Sequence, residues 1–231
     1  MAYPQSAQLK LRRFLLKGTF RQIFRATFRL RIMGWDKIPS KGAYLIAHNH
    51  VSIIEPALIL SFWPVNAEAI GAAELWTRRG QAGIIRMYGT LPVHRGSAER
   101  DLIRTMVGVL AAGTPLLIAP EGTRSHTPGM GPAQSGIGYL IDQARVPVLP
   151  IGVIGSTDEA LRAAAKFKRP TLEMRIGDPF LLPEIEGSGQ VRREARKQNT
   201  EAVMMRICAL LPEEYWGVYA DKYRSSAKTA Q

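Results

Sequence analysis

Three segments of this chain, "GAYLIAH" at 42–48, "TPLLIAP" at 114–120 and "VPVLPIGVIG" at 146–155, are short and almost wholly apolar. They show no alternation of polar and apolar residues, so they read as strands covered on both faces, which is how parallel strands in α/β proteins are buried. Such strands need helices on either side and crossover connections between them. The rest of the chain supplies both. "EPALILSFW" reads as a short helix starting at Pro56, residues 73–88 and 98–112 as helices stopped by Gly89 and Gly113, and 136–144, 157–166 and 190–210 as further helices. "RLRIM", "NAEAIGA", "TLPVHR" and "TLEMRIGDPF" add shorter strands, and part of "EEYWGVYADKY" reads as helical. The expected fold class is α/β: one catalytic domain over 29–231 with a mixed, mostly parallel sheet flanked by helices, preceded by a basic helix over 1–28.

That first helix carries the most uneven charge. Residues 1–35 contain no acid, and Arg13, Lys17, Arg21, Arg25 and Arg29 recur at steps of four beside Leu16, Phe20, Phe24 and Phe28. Rows with this spacing wind slowly around a helix, one cationic and one aromatic. Three readings compete: a membrane-surface anchor, a helix packed on the domain, and an Arg-rich targeting segment. The whole chain has a net charge of +12, which points to an anionic partner without choosing among nucleic acid, lipid and phosphorylated substrate. The most apolar stretch, 51–73, is interrupted by Glu55, Pro56, Pro64 and Glu68, so no bilayer span is expected. One cysteine, Cys208, rules out a disulfide within the chain and fits a reducing compartment. With only four histidines besides, a dedicated structural zinc site is not expected.

In open α/β sheets the working residues gather after strand C-termini. Three stretches, around His50, Arg95 and Glu121, follow expected strands. His50 and Glu55 can be a base and its orienting carboxylate, or the punctuation between a strand and a helix. Ser52 to Glu55 spells S-x-x-E, a capping box. Pro56 argues against the cap, because a residue before proline is pushed away from helical torsions. The helix should then start at Pro56 with Glu55 just ahead of it. No G-x-S-x-G elbow is present, so any nucleophile is more simply a hydroxyl on the substrate. His48, on the strand end, reads as a structural neighbour. In "PEGTRS", Arg124 offers a planar fork for phosphate, Gly122 allows close backbone approach, and Glu121 can accept from hydroxyls. Arg95 in "GTLPVHRG" is a second phosphate candidate.

Taken in order, "NHVSIIE", "GTLPVHR", "PEGTRS" and "VPVLPIG" resemble the four sequence blocks of the 1-acylglycerol-3-phosphate acyltransferase family, with Glu55 where that family usually has aspartate. The blocks span residues 49–152. The resemblance implies transfer of a fatty acyl group from an acyl thioester, acyl-CoA or acyl carrier protein, to the free hydroxyl of a lysophosphatidic acid, giving phosphatidic acid. It implies His50 as general base, Glu55 as its orienting partner, Arg95 and Arg124 on the acceptor phosphate, and Glu121, Gly122 and Thr123 around the glycerol. No metal or other cofactor is implied, and the expected setting is cytoplasmic, peripherally attached to an anionic membrane surface. Glycerol 3-phosphate or another lysophospholipid is the alternative acceptor. A basic nucleic-acid-binding protein would explain the charge but not the four blocks, and no helix-turn-helix or RNP signature supports it. A non-catalytic lipid-surface scaffold is disfavoured by the intact His50 and Glu55.

Overall fold

Strand β2 (Leu45–His48) is buried on both sides along its whole length, as its unbroken apolar run requires. It lies in the middle of a seven-stranded sheet of order β1-β7-β6-β2-β5-β3-β4, in a computed structural model that describes residues 6–93 and 99–229. The remaining strands are β1 (Arg29–Met33), β3 (Glu68–Ala72), β4 (Leu91–Val93), β5 (Leu116–Ile118), β6 (Val148–Ile154) and β7 (Thr171–Ile176). Strands β4, β3, β5, β2 and β6 are parallel neighbours; β7 turns antiparallel to β6, and β1 runs parallel to β7 at the edge. The mixed, mostly parallel α/β sheet expected from the sequence is the sheet observed.

Eight helices complete the described structure: α1 (Ala7–Thr27), α2 (Ile54–Phe62), α3 (Ala82–Tyr88), α4 (Glu99–Ala111), α5 (Ser135–Ala144), α6 (Asp158–Ala165), α7 (Gly189–Cys208) and α8 (Ala220–Thr229). Because side chains alternate across a strand, β2 feeds two cores. Ile46 joins Phe24, Phe28, Phe62, Trp63, Leu149 and Met174 on the side of α1 and α2. Leu45 and Ala47 join Met106, Leu140, Val203 and Ile207 on the side of α4, α5 and α7. The single helix expected over 73–88 is two pieces: a 3₁₀ turn at Ala73–Trp76 and then α3, with Gly80 at φ +81° in the break. The final two residues lie outside the described residues.

Helix α1 corrects the expectation for the basic row. Its cations do not face outward as a set. Arg13 is fully buried and forms a two-point ion pair with Glu68 at the start of β3 (Nη1–Oε1 2.9 Å, Nη2–Oε2 2.6 Å), while its Nε donates to the Tyr88 carbonyl. Lys17 Nζ donates to the Trp63 and Val65 carbonyls, and Arg21 Nε to that of Ser61. Burial, followed by the charges of Arg21 and Arg13, pushes the Lys17 ammonium down to about 8. Three of the five cations thus tie α1 to α2, β3 and α3, and Leu16 and Phe24 enter the core beside them. The opposite face carries Leu11, Phe14 and Leu15, all more than half exposed.

Candidate active site

Asn49 is the first residue past β2, and its side chain continues the sheet. Its Nδ2 donates to the Val153 carbonyl and its Oδ1 accepts from the Val153 N–H, at 2.9 and 2.8 Å. A side-chain amide here imitates one more rung of the β2–β6 ladder, and Asn49 is fully buried. The chain leaves the strand at a fixed point, and His50 follows.

His50 Nδ1 lies 3.0 Å from Glu55 Oε2. The carboxylate is fully buried, while the imidazole is 18% exposed. The buried carboxylate selects the Nδ1–H tautomer and leaves Nε2 free to accept a proton. Among the described residues no hydrogen bond reaches Nε2. The other Glu55 oxygen accepts from the Ser52 N–H at 2.8 Å, and Ser52 Oγ is 3.4 Å from the Ile54 N–H. Glu55 therefore combines parts of the two readings that the sequence set against each other: one oxygen reaches back to the Ser52 N–H, as a capping-box acid does, although Ile53 is the N-cap, and the other holds His50. The expected start at Pro56 is also corrected. Helix α2 begins at Ile54, so Pro56 is its third residue. The first four N–H groups of a helix have no intrahelical partner, so proline there forfeits no bond.

Glu121 lies on the loop after β5 and is 3% exposed. Its Oε1 accepts from the His50 N–H at 2.8 Å and its Oε2 from the Gly131 N–H at 2.7 Å. Burial raises its pKa, opposed by those two N–H donors and by the nearby His50. Directly after Arg124, the grip on His50 is completed from the other side of its peptide: Ser125 N–H donates to the His50 carbonyl at 2.8 Å, and His126 N–H to that of Val51. The E-G-T-R-S segment thus clamps the His50 backbone at both its N–H and its carbonyl. Gly122 has φ +69°, and a Cβ there would lie 2.8 Å from the Gln134 side chain, so the close approach that demands glycine is internal. Thr123 is exposed. Arg124 is half-buried and makes no hydrogen bond or ion pair with the described residues. Arg95 lies outside the described residues.

A second layer holds the Glu121 loop. Met130 N–H donates to the Tyr215 carbonyl and Val218 N–H to that of Met130. Tyr215 Oη accepts from Gly155 N–H at the end of β6, and Tyr219 Oη from Ala133 N–H, at 2.8 and 2.9 Å. Reading the sequence missed this aromatic strap, as well as the roles of Asn49 and Ser125. The Asn preceding His50 and the Ser closing "PEGTRS" were visible; the tyrosines carry no local signal.

His48 stays structural. It is buried, its ring stands edge-on to that of His50 with centroids 5.5 Å apart, and its Nδ1 bonds to the Asn49 carbonyl at 2.6 Å. Burial, then the His50 charge, pushes it down to about 3, so it is neutral at physiological pH. Cys208 is in the core, where burial pushes its thiol up to about 12. Among the described residues no cluster of three or more histidine, cysteine or acidic side chains could hold a metal.

The surroundings of this geometry have known counterparts. A family model described as "Acyltransferase" matches residues 29–154. The 1-acyl-sn-glycerol-3-phosphate acyltransferase alpha proteins of Ovis aries and Homo sapiens are each 26% identical over 156 residues, 65% of this chain and 54% of theirs. The chain spans about half the length of these mammalian relatives. The 1-acyl-sn-glycerol-3-phosphate acyltransferase of Bacillus subtilis is 20% identical over 179 residues, 77% of this chain and 86% of its own. The crystal structure of the 1-acyl-sn-glycerophosphate acyltransferase PlsC from Thermotoga maritima shares the fold, with a TM-score of 0.55 at 19% identity over 84% of this chain and 85% of that one. The family match covers more than half of the sequence and includes β1 through β6 with every described site residue, and on it the chain belongs to the acyltransferase family.

Proposed function

We propose that this protein transfers a fatty acyl group from acyl-CoA or acyl carrier protein to the free hydroxyl of 1-acylglycerol 3-phosphate, giving phosphatidic acid. The observation that carries the reading is the His50–Glu55 pair: a buried carboxylate 3.0 Å from one imidazole nitrogen, with the other nitrogen unbonded among the described residues, on a partly exposed ring. His50 Nε2 takes the hydroxyl proton, and the oxygen attacks the thioester carbonyl carbon. When the tetrahedral intermediate collapses, the C–S bond breaks and the imidazolium returns its proton to the leaving thiolate. Glu55 accepts the Nδ1–H throughout and stabilises the imidazolium. A general base of this kind contributes about 10²- to 10⁴-fold in rate. The scheme uses the two substrates and these side chains, without a metal step or an acyl-enzyme.

Glu121 fits a different part from the glycerol contact implied by the resemblance. Both its oxygens are taken by backbone N–H groups and little of it reaches solvent, so it serves better as the brace that fixes His50. Arg124, without a hydrogen-bond or ion-pair partner among the described residues, suits the acceptor phosphate, with Thr123 and the Gly122 backbone beside it and Arg95 as a second contact. The outward apolar side chains of α1, Leu11, Phe14 and Leu15, flanked by exposed Lys10 and Arg12, suit an anionic cytoplasmic membrane surface reached from one side. No described helix is long and apolar enough to cross a membrane.

The deciding experiment is acyl transfer by purified protein, with lysophosphatidic acid, glycerol 3-phosphate and other lysophospholipids offered in turn. Turnover selective for lysophosphatidic acid supports the reading. Transfer to glycerol 3-phosphate alone would move the acceptor, and absence of transfer to every acceptor would overturn the function.

A further inference from the structure

The turn that ends α6 places a phenylalanine where chains usually place glycine. Lys166 caps the helix, and Phe167 follows at φ +54°. Phe167 N–H donates to Ala164 O at 2.9 Å and Lys168 N–H to Ala163 O at 3.0 Å, the paired bonds of a Schellman turn. The residue in the left-handed position of that turn is ordinarily glycine, because a side chain there crowds the backbone. Arg169, two residues on, has φ +50° as well. An aromatic residue can hold such a conformation when its ring packs into a core. Phe167 does not: it is 72% exposed. Neither local preference nor burial within the chain accounts for it, whereas an apolar phase outside the chain would.

Its surroundings specify that phase. Lys166 and Lys168 flank the ring and are exposed. Arg169 Nη2 donates to the Arg25 and Phe28 carbonyls at 3.2 and 3.5 Å, tying the turn to the end of α1. Arg29 is bound through its N–H to the Pro170 carbonyl, and Arg25 and Arg29 are both exposed. Neither strand of sequence that meets here, 1–35 or 160–172, contains an acidic residue. One aromatic ring set among cations matches an anionic bilayer: the ring enters the boundary between headgroups and acyl chains while ammonium and guanidinium groups meet phosphates. A nucleic-acid duplex, whose bases are already stacked on one another, would use the charges and leave the strained, exposed ring without purpose.

The turn also sits at the functional end of the sheet. Asn49 is bonded to Val153, and Ile154 is in register with Glu173 two residues into β7, so the segment between β6 and β7 lies at the end where β2 delivers His50. We infer that the Lys166–Arg169 turn is a membrane-contact loop that sets Phe167 into anionic lipid on the same end of the sheet as His50, separate from the outward face of α1. The inference does not depend on which acceptor is acylated.

Phe167→Gly tests it, because glycine is relaxed at this φ and the variant should melt no lower than the parent. In co-sedimentation with vesicles of phosphatidylglycerol and phosphatidylcholine, Phe167→Gly should partition about 10- to 100-fold more weakly. Lys166→Gln combined with Lys168→Gln should weaken binding about fivefold per lysine at low salt, and less as salt rises. Vesicles of phosphatidylcholine alone should bind the parent weakly. Equal partitioning of Phe167→Gly and parent would overturn the inference. So would loss in Phe167→Gly of a concentration-dependent dimer with vesicle binding intact, which would assign the turn to a second copy of the chain. Failure of the acyl-transfer reading would show separately, as a parent protein that binds vesicles and acylates nothing.

Discussion

Two carboxylates of this chain are buried to the same degree and do opposite things. Glu68 meets Arg13 with two parallel bonds, and both side chains are sealed from solvent. Glu55 divides its oxygens between a backbone N–H and His50, and the histidine reaches the surface. The Arg13–Glu68 pair cannot change its charge; guanidinium does not give up its proton, and all three of its nitrogens are engaged. The His50–Glu55 pair is closed at one end and open at the other, and its cation exists only when a proton arrives. Burial of a charge pair by itself says little about function. What separates the two pairs is whether one member can change its protonation while touching solvent.

The comparison is broken most strongly by His50→Ala. Acyl transfer should fall by about 10⁴-fold while the melting temperature stays close to that of the parent; a folded variant with near-normal turnover would refute the assignment. Arg13→Ala should do the reverse. It strands the Glu68 carboxylate in the core, at about 3–5 kcal/mol of stability measured by denaturant unfolding. Between them falls Glu121→Gln, which keeps one acceptor for two N–H donors. Its kcat should drop about 10²-fold through misplacement of His50, with the acceptor KM little changed. A raised KM with kcat preserved would return Glu121 to the glycerol site.

His48 supplies a finer test, since it is the buried twin of His50. Its folded pKa of about 3 lies below the ordinary 6.5, so the unfolded chain binds more protons at any pH between them. The stability from keeping it neutral is complete above pH 6.5 and is lost as pH falls toward 3. Between pH 7 and 5 the loss should be about 2 kcal/mol, and His48→Gln should flatten that slope. The smallest effect is expected for Glu55→Asp. It retains the carboxylate but cannot span both partners at full reach, so activity should fall about tenfold or less.

Much of this was legible in the sequence, for identifiable reasons. Continuous apolar runs are strong evidence for central parallel strands, and β2, β5 and β6 appear where those runs lie. Strand ends then located His50 and Glu121 at one end of the sheet. The faces of α1 were not legible. A row of arginines at steps of four reads as solvent- or lipid-facing until a distant acid takes one of them inward, and Glu68 is 55 residues away from Arg13. Glu55 was misjudged for a local reason: the rule against helical torsions before proline is a preference, and the first turn of a helix is where proline does least harm. The function of Glu121 needed the fold, because its partners are N–H groups of His50 and Gly131, which every non-proline residue possesses.

The tyrosine strap has a consequence in time. Tyr215, which joins the end of β6 to the Met130 stretch of the Glu121 loop, leaves the ribosome 94 residues after Glu121 (215 − 121), and β7, which pairs with β1, also arrives late. A nascent chain already holding His50, Glu55 and Glu121 still lacks the tie that fixes the loop over them. The loop that carries Glu121 is therefore tied down over His50 only after nearly all of the described chain has been made.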